Sequence, residues 1–437
     1  MRREIYDDLL KWKKSNDRKP LLLQGVRQCG KTYILKEFGK ENYEDVAYFT
    51  FEKNPSLHVI FQKDLDPKRL LNELSVMRDK KIEPGKTLLI LDEIQLCGRA
   101  LTSLKFFCEE AQEYHVATAG SLLGVLLAKK FSFPVGKVKR LKMYPMTFRE
   151  FLLANSADLL VEHVDGADPT EPLSEPIADK LKAHLNNYFL VGGMPAAVAS
   201  WTANGDHKSV EEVLDDIIDD YVGDFAKHAP EHITKLTLIW NSIPAQLARD
   251  NRKFVFSHVK TGMRAKDLED ALEWLVNAGL VHKVKKVNEA RFPLSAYSDN
   301  TNFKVYMADI GILRRMAKVP SDFIFSEHKE HKDLRGAITE NYVLNEIIPR
   351  IRDDLYYWRS GNAAEVDLVA QIEGVVVPIE AKAGNSKSKS LTEFITRYDP
   401  KIAVTTTARR NVSGVVKHIP LYLQWRVADH VRSRKLF

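Results

Sequence analysis

The chain has 437 residues, of which 44% are hydrophobic and 28% are charged. This length allows two to four domains, and the composition is that of an ordinary soluble protein. The opening residues MRREIYDDLLKWKK contain no apolar segment of the kind that a secretory signal needs. The longest apolar run, YFLVGGMPAAVASW, is too short to span a bilayer. Because the three cysteines also lack disulfide or metal-ligand spacing, we expect a cytoplasmic protein with no membrane partner.

The net charge of +6 is unevenly distributed along the sequence. Residues 381–437 contain 12 Lys and Arg against 3 Asp and Glu, a local net charge of +9, and the remainder carries −3. A local basic segment suggests an anionic partner, such as a nucleic acid, near the C-terminus. A solvated basic helix would explain the same charge, so both interpretations stay open.

The first 157 residues predict an α/β domain. Short apolar runs (KPLLLQ, VAYFTFE, TLLILDE and HVATAGS) alternate with helical patterns (TYILKEF and LTSLKFFCEEAQ). Such alternation is typical of a parallel sheet that helices cover on both faces. We therefore expect one domain over residues 1–157, built on a parallel sheet.

A phosphate-binding loop follows the first predicted strand. Residues 25–32 read GVRQCGKT and match the pattern G-x-x-x-x-G-K-[ST] between a strand and a helix. Backbone N–H groups of such a loop cradle phosphates at the helix N-terminus. Lys31 is predicted to reach the β- and γ-phosphates of ATP, and Thr32 to ligate Mg²⁺. The nucleotide-binding residues predicted from this loop are Gly25, Val26, Arg27, Gln28, Cys29, Gly30, Lys31 and Thr32.

Two acidic residues end the run TLLILDE. Asp92 is predicted to bind the nucleotide through its Mg²⁺ ion, which it would hold together with Thr32. Glu93 is predicted to be catalytic because it can orient or deprotonate the attacking water. Ser121 ends the run HVATAGS and is predicted to contact the γ-phosphate or the water. A helix N-cap explains a serine at that position equally well.

The middle of the chain is predicted to be helical. Residues 158–179 hold seven acids, three prolines and no Lys or Arg, which predicts an acidic linker. A helical segment is expected over residues 180–230. Residues 231–300 then show helix, helix and the strand-like LVHKVKKV, the order of a winged helix-turn-helix domain. Because its second helix carries three acids that DNA would repel, we favour a packing role for this domain.

Residues 301–437 predict a C-terminal domain with the element order α-β-β-β-α-β. A turn at Glu373–Gly374 would pair the strands AEVDLVAQI and VVVPIEAK and place Asp367 opposite Glu380. Two opposed carboxylates destabilise a hairpin unless something compensates their charge. A divalent metal, Mg²⁺ or Mn²⁺, is the economical compensation because both ions prefer oxygen ligands.

Asp367 and Glu380 are therefore predicted metal ligands, and Lys382 a catalytic residue that polarises a phosphate or helps to activate water. The spacing pattern is Asp367, twelve intervening residues and then Glu380-x-Lys382. Together with the element order, this pattern resembles the PD-(D/E)XK nuclease fold. The resemblance implies that an acid on the first helix completes the metal site, and Glu340 occupies that position. The alternative is that Asp367 pairs with Lys382 or a nearby arginine and that the domain only binds.

The chain as a whole resembles a prokaryotic AAA+-like ATPase family whose C-terminal domain is uncharacterised. The resemblance extends from about Pro20 to Gly384 and rests on GVRQCGKT, LLILDEIQ, TAGS, KRLKMYPMTFREFL, FLVGGMP, FKVYMADIG, YYWRSGNAAEVDLV and VPIEAK. Family members usually have Gly-Arg where this chain has Gly-Lys at residues 136–137. If that arginine is a finger in relatives, Lys137 is a weaker substitute without the planar fork, and Arg140 is the other candidate. The resemblance implies ATP hydrolysis and leaves room for a homo-oligomer.

These observations lead to three functional hypotheses. The first is an ATP-binding and hydrolysing AAA+-like protein coupled to a metal-dependent, nuclease-like domain that acts on DNA or RNA. The second is an ATP-gated binding or signalling protein whose C-terminal domain binds nucleic acid or a partner without cleaving it. The third, a chaperone-like ATPase, predicts no salt-dependent binding of nucleic acid. Substitution of Asp367 separates the first hypothesis from the second, because only cleavage needs that carboxylate.

Overall fold

The computed structural model of the chain describes residues 1–120, 135–249, 252–320, 332–361, 364–382, 389–407 and 414–434. The chain forms two compact units. The first unit contains Met1–Tyr144 and Asn277–Leu280, and the second contains Pro145–Val276 and Val281–Phe437.

The first unit is an α/β domain, as the alternating apolar runs predict. Its helices are α1 (Ile5–Lys14), α2 (Lys31–Asn42), α3 (Pro55–Lys63), α4 (Pro67–Met77) and α5 (Gly98–Glu110). Its strands are β1 (Leu21–Gly25), β2 (Asp45–Thr50), β3 (Thr87–Asp92), β4 (His115–Gly120) and β5 (Lys139–Met143).

The strands of the first unit form a parallel sheet in the order β2-β3-β4-β1-β5. Strands β3 and β4 are buried along their whole length, as expected for central strands that helices cover on both faces. Aromatic side chains of α3 and α5, among them Phe61 and Phe107, pack with Leu91 in the core. Because parallel strands end at the same edge of a sheet, the residues after β1 and those after β3 come together there.

The second unit begins with helices and ends with a mixed sheet. Its helices are α6 (Phe148–Ala154), α7 (Asp158–Gly166), α8 (Glu175–Val191), α9 (Pro195–Asn204), α10 (His207–His228), α11 (Ile233–Leu247), α12 (Phe256–Val259), α13 (Ala265–Asn277), α14 (Ile310–Met316), α15 (Lys332–Ile351), α16 (Lys389–Tyr398) and α17 (Val427–Ser433). Its strands are β6 (Val281–Val287), β7 (Ser298–Met307), β8 (Tyr356–Ser360), β9 (Ala364–Ile372), β10 (Val375–Glu380), β11 (Ala403–Thr405) and β12 (Val416–His418). Over the described parts of the whole chain, no helix is long and apolar enough to cross a bilayer.

The sheet of the second unit has the strand order β12-β11-β10-β9-β8-β6-β7. Strands β8, β9 and β10 are antiparallel neighbours and β11 runs parallel to β10, so helices and strands occur in the predicted order from α15 to β11. Strand β6 pairs with β8 as well as with β7. The strand predicted as a wing, β6, therefore belongs to the C-terminal sheet, and the predicted boundary at residue 300 falls within the next strand, β7. The reason is that an unpaired strand edge favours pairing with a further strand.

Residues 158–179 are not the continuous linker that their composition predicts. Helix α7 occupies the first part, and Leu160, Val161 and Val164 of this helix are buried. Helix α8 begins at Glu175. These apolar residues recur at helical spacing, a signal that outweighs the high content of acids and prolines.

Several motifs of the sequence determine packing in the second unit. Thr147 and Glu150 form a reciprocal capping box at the start of α6. Gly193 allows a close backbone approach, since a Cβ atom there would lie 2.0 Å from the carbonyl oxygen of Met146. The buried carboxylate of Asp309 accepts a hydrogen bond from the N–H of Gly193 at 2.6 Å. The capping box thus explains the TFRE of KRLKMYPMTFREFL, and the close backbone approach explains the second glycine of FLVGGMP. The buried carboxylate explains the aspartate of FKVYMADIG.

Candidate functional site

The phosphate loop joins β1 to α2. Strand β1 ends at Gly25 and α2 begins at Lys31. Gly25 packs closely on β5, because a Cβ atom at this residue would lie 2.2 Å from the carbonyl oxygen of Met143. Gly30 has a left-handed backbone with φ 94°, which glycine adopts without strain. The first N–H groups of a helix have no partner within it, so the start of α2 offers donors to an anion.

Lys31 lies at the centre of this loop. In the loop before it, residues 27–28 form a turn, and Val26 and Cys29 on either side of that turn are buried. Lys31 is itself buried, and its Nζ donates to the carbonyl oxygens of Gly25 at 2.9 Å and Val26 at 2.8 Å. Its ammonium group therefore points back into the loop that is predicted to hold the phosphates.

Arg3 supports the same loop from the start of the chain. This buried side chain donates through Nη1 to the carbonyl oxygen of Cys29 at 2.9 Å. It also donates through Nη2 to the carbonyl oxygen of Tyr144 at 2.7 Å. The planar guanidinium fork thereby connects the loop with the residues that follow β5.

Asp92, the last residue of β3, lies beside the loop. Its Oδ2 accepts hydrogen bonds from the hydroxyl of Thr32 at 2.9 Å and from the hydroxyl of Tyr48 at 2.8 Å. Burial and the hydrogen bond to Asp92 raise the pKa of Tyr48, so its phenol remains a neutral donor. Thr32 and Asp92 offer hard oxygen ligands close together, of the kind that Mg²⁺ takes alongside phosphates and water. The residues present therefore fit a nucleotide-bound magnesium ion.

Glu93 follows with a left-handed backbone, φ 50° and ψ 41°. Its N–H donates to Oδ1 of Asp92 at 3.1 Å, and its own carboxylate accepts a hydrogen bond from Nε2 of Gln95. Burial raises the pKa of Glu93. A carboxylate whose pKa moves towards neutrality is a better general base than an exposed one.

Three other predicted residues belong to the same unit. Ser121 lies outside the described residues. Lys137 pairs with Glu109, with 2.9 Å between Nζ and Oε1. Arg140 is exposed on β5. Of these residues, Lys137 already has an acidic partner within its own unit.

In the second unit, the β9–β10 hairpin has the predicted register. Ile379 pairs with Leu368. Asp367 and Glu380 are the next residues of the two strands, so they face each other at the end of the hairpin. Oδ2 of Asp367 accepts a hydrogen bond from the N–H of Ala381 at 2.9 Å.

Basic side chains pair with the acids around this hairpin. Nζ of the fully buried Lys304 lies 2.9 Å from Oε1 of Glu340 and 2.6 Å from Oε1 of Glu365. Nη1 of Arg252 contacts Oε2 of Glu340 and lies 3.9 Å from Oδ1 of Asp367. Burial raises the pKa of Asp367, and the charges of Lys304 and Arg252 oppose that rise. We call these five residues the C-terminal ion cluster.

The predicted metal ligands of the second unit do not form one metal-binding group. Glu340 is engaged in the C-terminal ion cluster, and Oε1 of Glu380 lies 3.6 Å from Nζ of Lys382. Within the part of the chain that the structure describes, no group of three or more His, Cys, Asp or Glu side chains is arranged to hold a metal ion. The described contacts therefore engage Glu340 and Glu380 with basic side chains and give no support to a Mg²⁺ or Mn²⁺ site shared with Asp367.

Some of the basic residues near the C-terminus contact the second unit itself. Arg426 donates to the carbonyl oxygens of Val164 and Ala167. Arg432 donates to the carbonyl oxygen of Arg350 at 2.8 Å. The +9 segment therefore includes arginines with structural contacts, and the charge of Arg432 is in part compensated by Glu373 and Asp429.

Comparison with protein families supports the first of these sites. Residues 17–152 match a family model described as an AAA domain. Residues 182–322 and 335–423 match models of two domains of unknown function, DUF8612 and DUF4143. The loop geometry and the AAA match together support a P-loop ATPase domain in the first unit. The other two matches assign no activity to the second unit.

Comparison with curated proteins gave no match. Among solved structures, the chain is similar to the Aeropyrum pernix ORC1 protein in complex with DNA, with 14% identity, TM-score 0.30, and 74% of this chain and 91% of that chain covered. It is also similar to CDC6P from Pyrobaculum aerophilum, with 14% identity, TM-score 0.24, and coverage of 72% and 92%. AMPPCP-bound DnaA from Aquifex aeolicus gives 13% identity, TM-score 0.26, and coverage of 62% and 86%. These low identities and TM-scores assign no function to this chain.

Sequence reasoning missed residues that complete both sites. In the first unit these are Arg3, Tyr48 and Gln95, and in the second unit Arg252 and Lys304. Tyr48 could have been found by placing VAYFTFE beside TLLILDE, because neighbouring parallel strands bring their side chains together. The sequence contains no comparable local signal for the two basic residues of the second unit.

Proposed function

We propose that the first unit binds Mg²⁺ and ATP and hydrolyses the nucleotide. The observation that carries this proposal is the meeting of Thr32 and Asp92 through a 2.9 Å hydrogen bond at the end of the phosphate loop. The carboxylate is supplied by a buried strand and the hydroxyl by the first turn of α2, the two sources that P-loop enzymes use for magnesium.

Each residue of this site has a role in the proposed reaction. The loop from Gly25 to Gly30 and the start of α2 bind phosphate oxygens through backbone N–H groups. Lys31 exchanges its carbonyl partners for the β- and γ-phosphates. Thr32 and Asp92 hold the magnesium ion, which neutralises charge on the phosphates when it is bound. Glu93 orients or deprotonates the attacking water, and we keep Ser121 as the residue that contacts the γ-phosphate.

The test of this proposal is ATP hydrolysis by the full chain with Mg²⁺ and with EDTA. Lys31→Met should abolish hydrolysis, because it removes the side chain that contacts the phosphates. Lys40→Met is the matched control, since Lys40 is exposed on the same helix and its ion pair is with Glu37, three residues away. Absence of Mg²⁺-dependent hydrolysis by the unmodified chain would contradict the proposal.

For the second unit we infer binding without cleavage, the second hypothesis above. The C-terminal ion cluster favours it, because Lys304 and Arg252 compensate the charge that the nuclease hypothesis assigns to a metal. In this account ATP gates the presentation of the C-terminal domain to a nucleic acid or another anionic partner. A nuclease of the PD-(D/E)XK kind, with Lys382 as its catalytic lysine, is the competing hypothesis.

Labelled single- and double-stranded DNA and RNA separate these hypotheses. We expect binding that weakens steeply with salt and no cleavage in Mg²⁺ or Mn²⁺, with or without ATP. Asp367→Asn should leave binding unchanged. Metal-dependent cleavage that Asp367→Asn abolishes would establish the nuclease instead, and absence of any binding would remove nucleic acid as the partner.

A further inference from the structure

Tyr48 contacts the magnesium-binding pair although no phosphate-loop pattern includes it. Strand β2 lies next to β3 with Thr50 opposite Asp92, so Tyr48 is two residues before that point on the same face. Its hydroxyl donates to Oδ2 of Asp92 at 2.8 Å, the oxygen that also accepts the hydroxyl of Thr32 at 2.9 Å. Asp92 is 4% exposed, so water has little access to replace either donor.

The ring of Tyr48 is fixed from its other side. Nζ of Lys36 lies 3.4 Å from the centroid of the ring, a close cation–π contact. Lys36 and Thr32 are four residues apart on α2 and therefore share one face of that helix. Lys36 of α2 thus contacts the ring of Tyr48, and Asp92 of β3 accepts the hydrogen bond from its hydroxyl.

The chemistry of the two hydroxyls explains why both are needed. A threonine hydroxyl has one proton and two acceptor lone pairs, so Thr32 can donate to Asp92 while an oxygen lone pair faces a cation. This works only if the carboxylate keeps its orientation. Tyr48 supplies a second donor on the same oxygen and so holds that orientation, while the ammonium group of Lys36 contacts its ring.

We propose that Tyr48 is a positioning residue for Mg²⁺ at the Thr32–Asp92 pair. The inference rests on the proposed ATPase function and adds a residue that sets how strongly the site depends on magnesium. Tyr48 acts through Asp92, and nucleotide contacts of the phosphate loop do not depend on it.

The experiment measures affinity for a fluorescent, non-hydrolysable ATP analogue in EDTA and across a Mg²⁺ titration, with the full chain. For Tyr48→Phe we expect the Mg²⁺ concentration at half-saturation to rise about tenfold, the usual effect of losing a side chain that orients a metal ligand. Affinity in EDTA should equal that of the unmodified chain. Tyr43→Phe is the matched control, because it removes a hydroxyl that contacts Nδ1 of His115 at 2.7 Å in the same unit.

The outcomes separate this inference from the proposed function. If the unmodified chain shows Mg²⁺-dependent binding and Tyr48→Phe has the same Mg²⁺ dependence, only the positioning role is overturned. Equal losses for Tyr48→Phe in EDTA and in Mg²⁺, together with a lower melting temperature, would indicate a purely structural role and would also overturn it. If the unmodified chain binds no nucleotide under either condition, the proposed function fails first and the inference fails with it.

Discussion

In the first unit, the carboxylate of Asp92 meets hydroxyl groups and a backbone N–H. In the second unit, Glu340 and Asp367 also accept from the Tyr306 hydroxyl and the Ala381 N–H, but they face basic side chains as well. Both sets of carboxylates are partly or fully buried in an α/β or mixed-sheet unit. Neutral donors orient a carboxylate and leave its negative charge for a cation that arrives with the substrate. Basic side chains compensate that charge permanently.

Acids at strand ends do not by themselves predict a metal site. The groups that contact the carboxylate determine whether its charge is left for a metal ion, and in both units the side chains among these groups are distant from it in the sequence. Asp92 is matched by Thr32 and Tyr48, and Glu340 by Lys304 and Arg252.

Glu93→Gln should separate catalysis from binding in the first unit. It removes the proposed base and should lower the hydrolysis rate by about 10²- to 10⁴-fold, the range typical of general bases. Affinity for ATP should remain within about threefold, because Glu93 holds neither phosphate nor magnesium in this account. Steady-state kinetics and analogue binding measure the two quantities. Glu110→Gln, an exposed glutamate on α5, is the control, and an unchanged rate in Glu93→Gln would remove Glu93 from the mechanism.

Lys304→Met tests whether the C-terminal ion cluster is structural. It leaves the fully buried Glu340 without one of its cations, so we expect the free energy of unfolding to fall by about 3 kcal/mol. Urea denaturation of the full chain measures it. Adding Glu340→Gln to Lys304→Met should restore part of the loss, because the uncompensated charge is gone.

The control for that prediction is Lys182→Met. Lys182 pairs with Asp179, the two side chains are 54% and 59% exposed, and such pairs contribute about 0–1 kcal/mol. Similar losses for Lys182→Met and Lys304→Met would mean that the cluster is no more important than a surface ion pair.

Because Asp309 is buried, we expect the stability of the second unit to depend on pH. Burial raises the pKa of Asp309 from 3.8 to about 6 in the folded chain. The folded state therefore holds the proton more strongly than the unfolded state, and this contribution to stability is lost as the pH rises from about 4 to 6. We expect the free energy of unfolding to fall by about 2 kcal/mol over that interval. Asp309→Asn should lack this component of the pH profile, and identical profiles would contradict the assignment.

Arg3→Ala should weaken nucleotide binding without contacting the nucleotide. It removes the guanidinium that holds the carbonyl oxygens of Cys29 and Tyr144, and we expect about fivefold lower affinity for ATP, because only part of the roughly 1.5–3 kcal/mol of a charged hydrogen bond reaches the nucleotide through the loop backbone. Analogue titration measures the affinity. Arg18→Ala is matched, since Arg18 donates to the carbonyl oxygens of Lys13 and Gln112 in the same unit. An equal effect of both substitutions would indicate general destabilisation.

The sequence alone predicted the loop, the hairpin and Asp92, because each of these features depends on a short continuous segment. GVRQCGKT predicts the loop between β1 and α2, and the two-residue turn at Glu373–Gly374 predicts the hairpin register that the structure has. Asp92 could be placed because it follows four apolar residues in a strand that is buried along its length.

Non-local packing explains what the sequence did not predict. The pairing of β6 with β8 joins residues about 70 positions apart, so the C-terminal sheet could not be separated correctly from the predicted wing. Lys304 reads as an ordinary residue of an alternating strand, yet it is fully buried because two acids compensate its charge. Composition also misled over residues 158–166, where helical periodicity was present but short.

The most direct measurement is the number of Mn²⁺ ions bound per chain, counted by equilibrium dialysis with and without a non-hydrolysable ATP analogue. It should be made for the unmodified chain, Asp92→Asn and Asp367→Asn. The account predicts one ion per chain that requires the nucleotide, is lost in Asp92→Asn and is retained in Asp367→Asn. An ion that binds without nucleotide and is lost in Asp367→Asn would contradict it and would return the second unit to the metal-dependent nucleases.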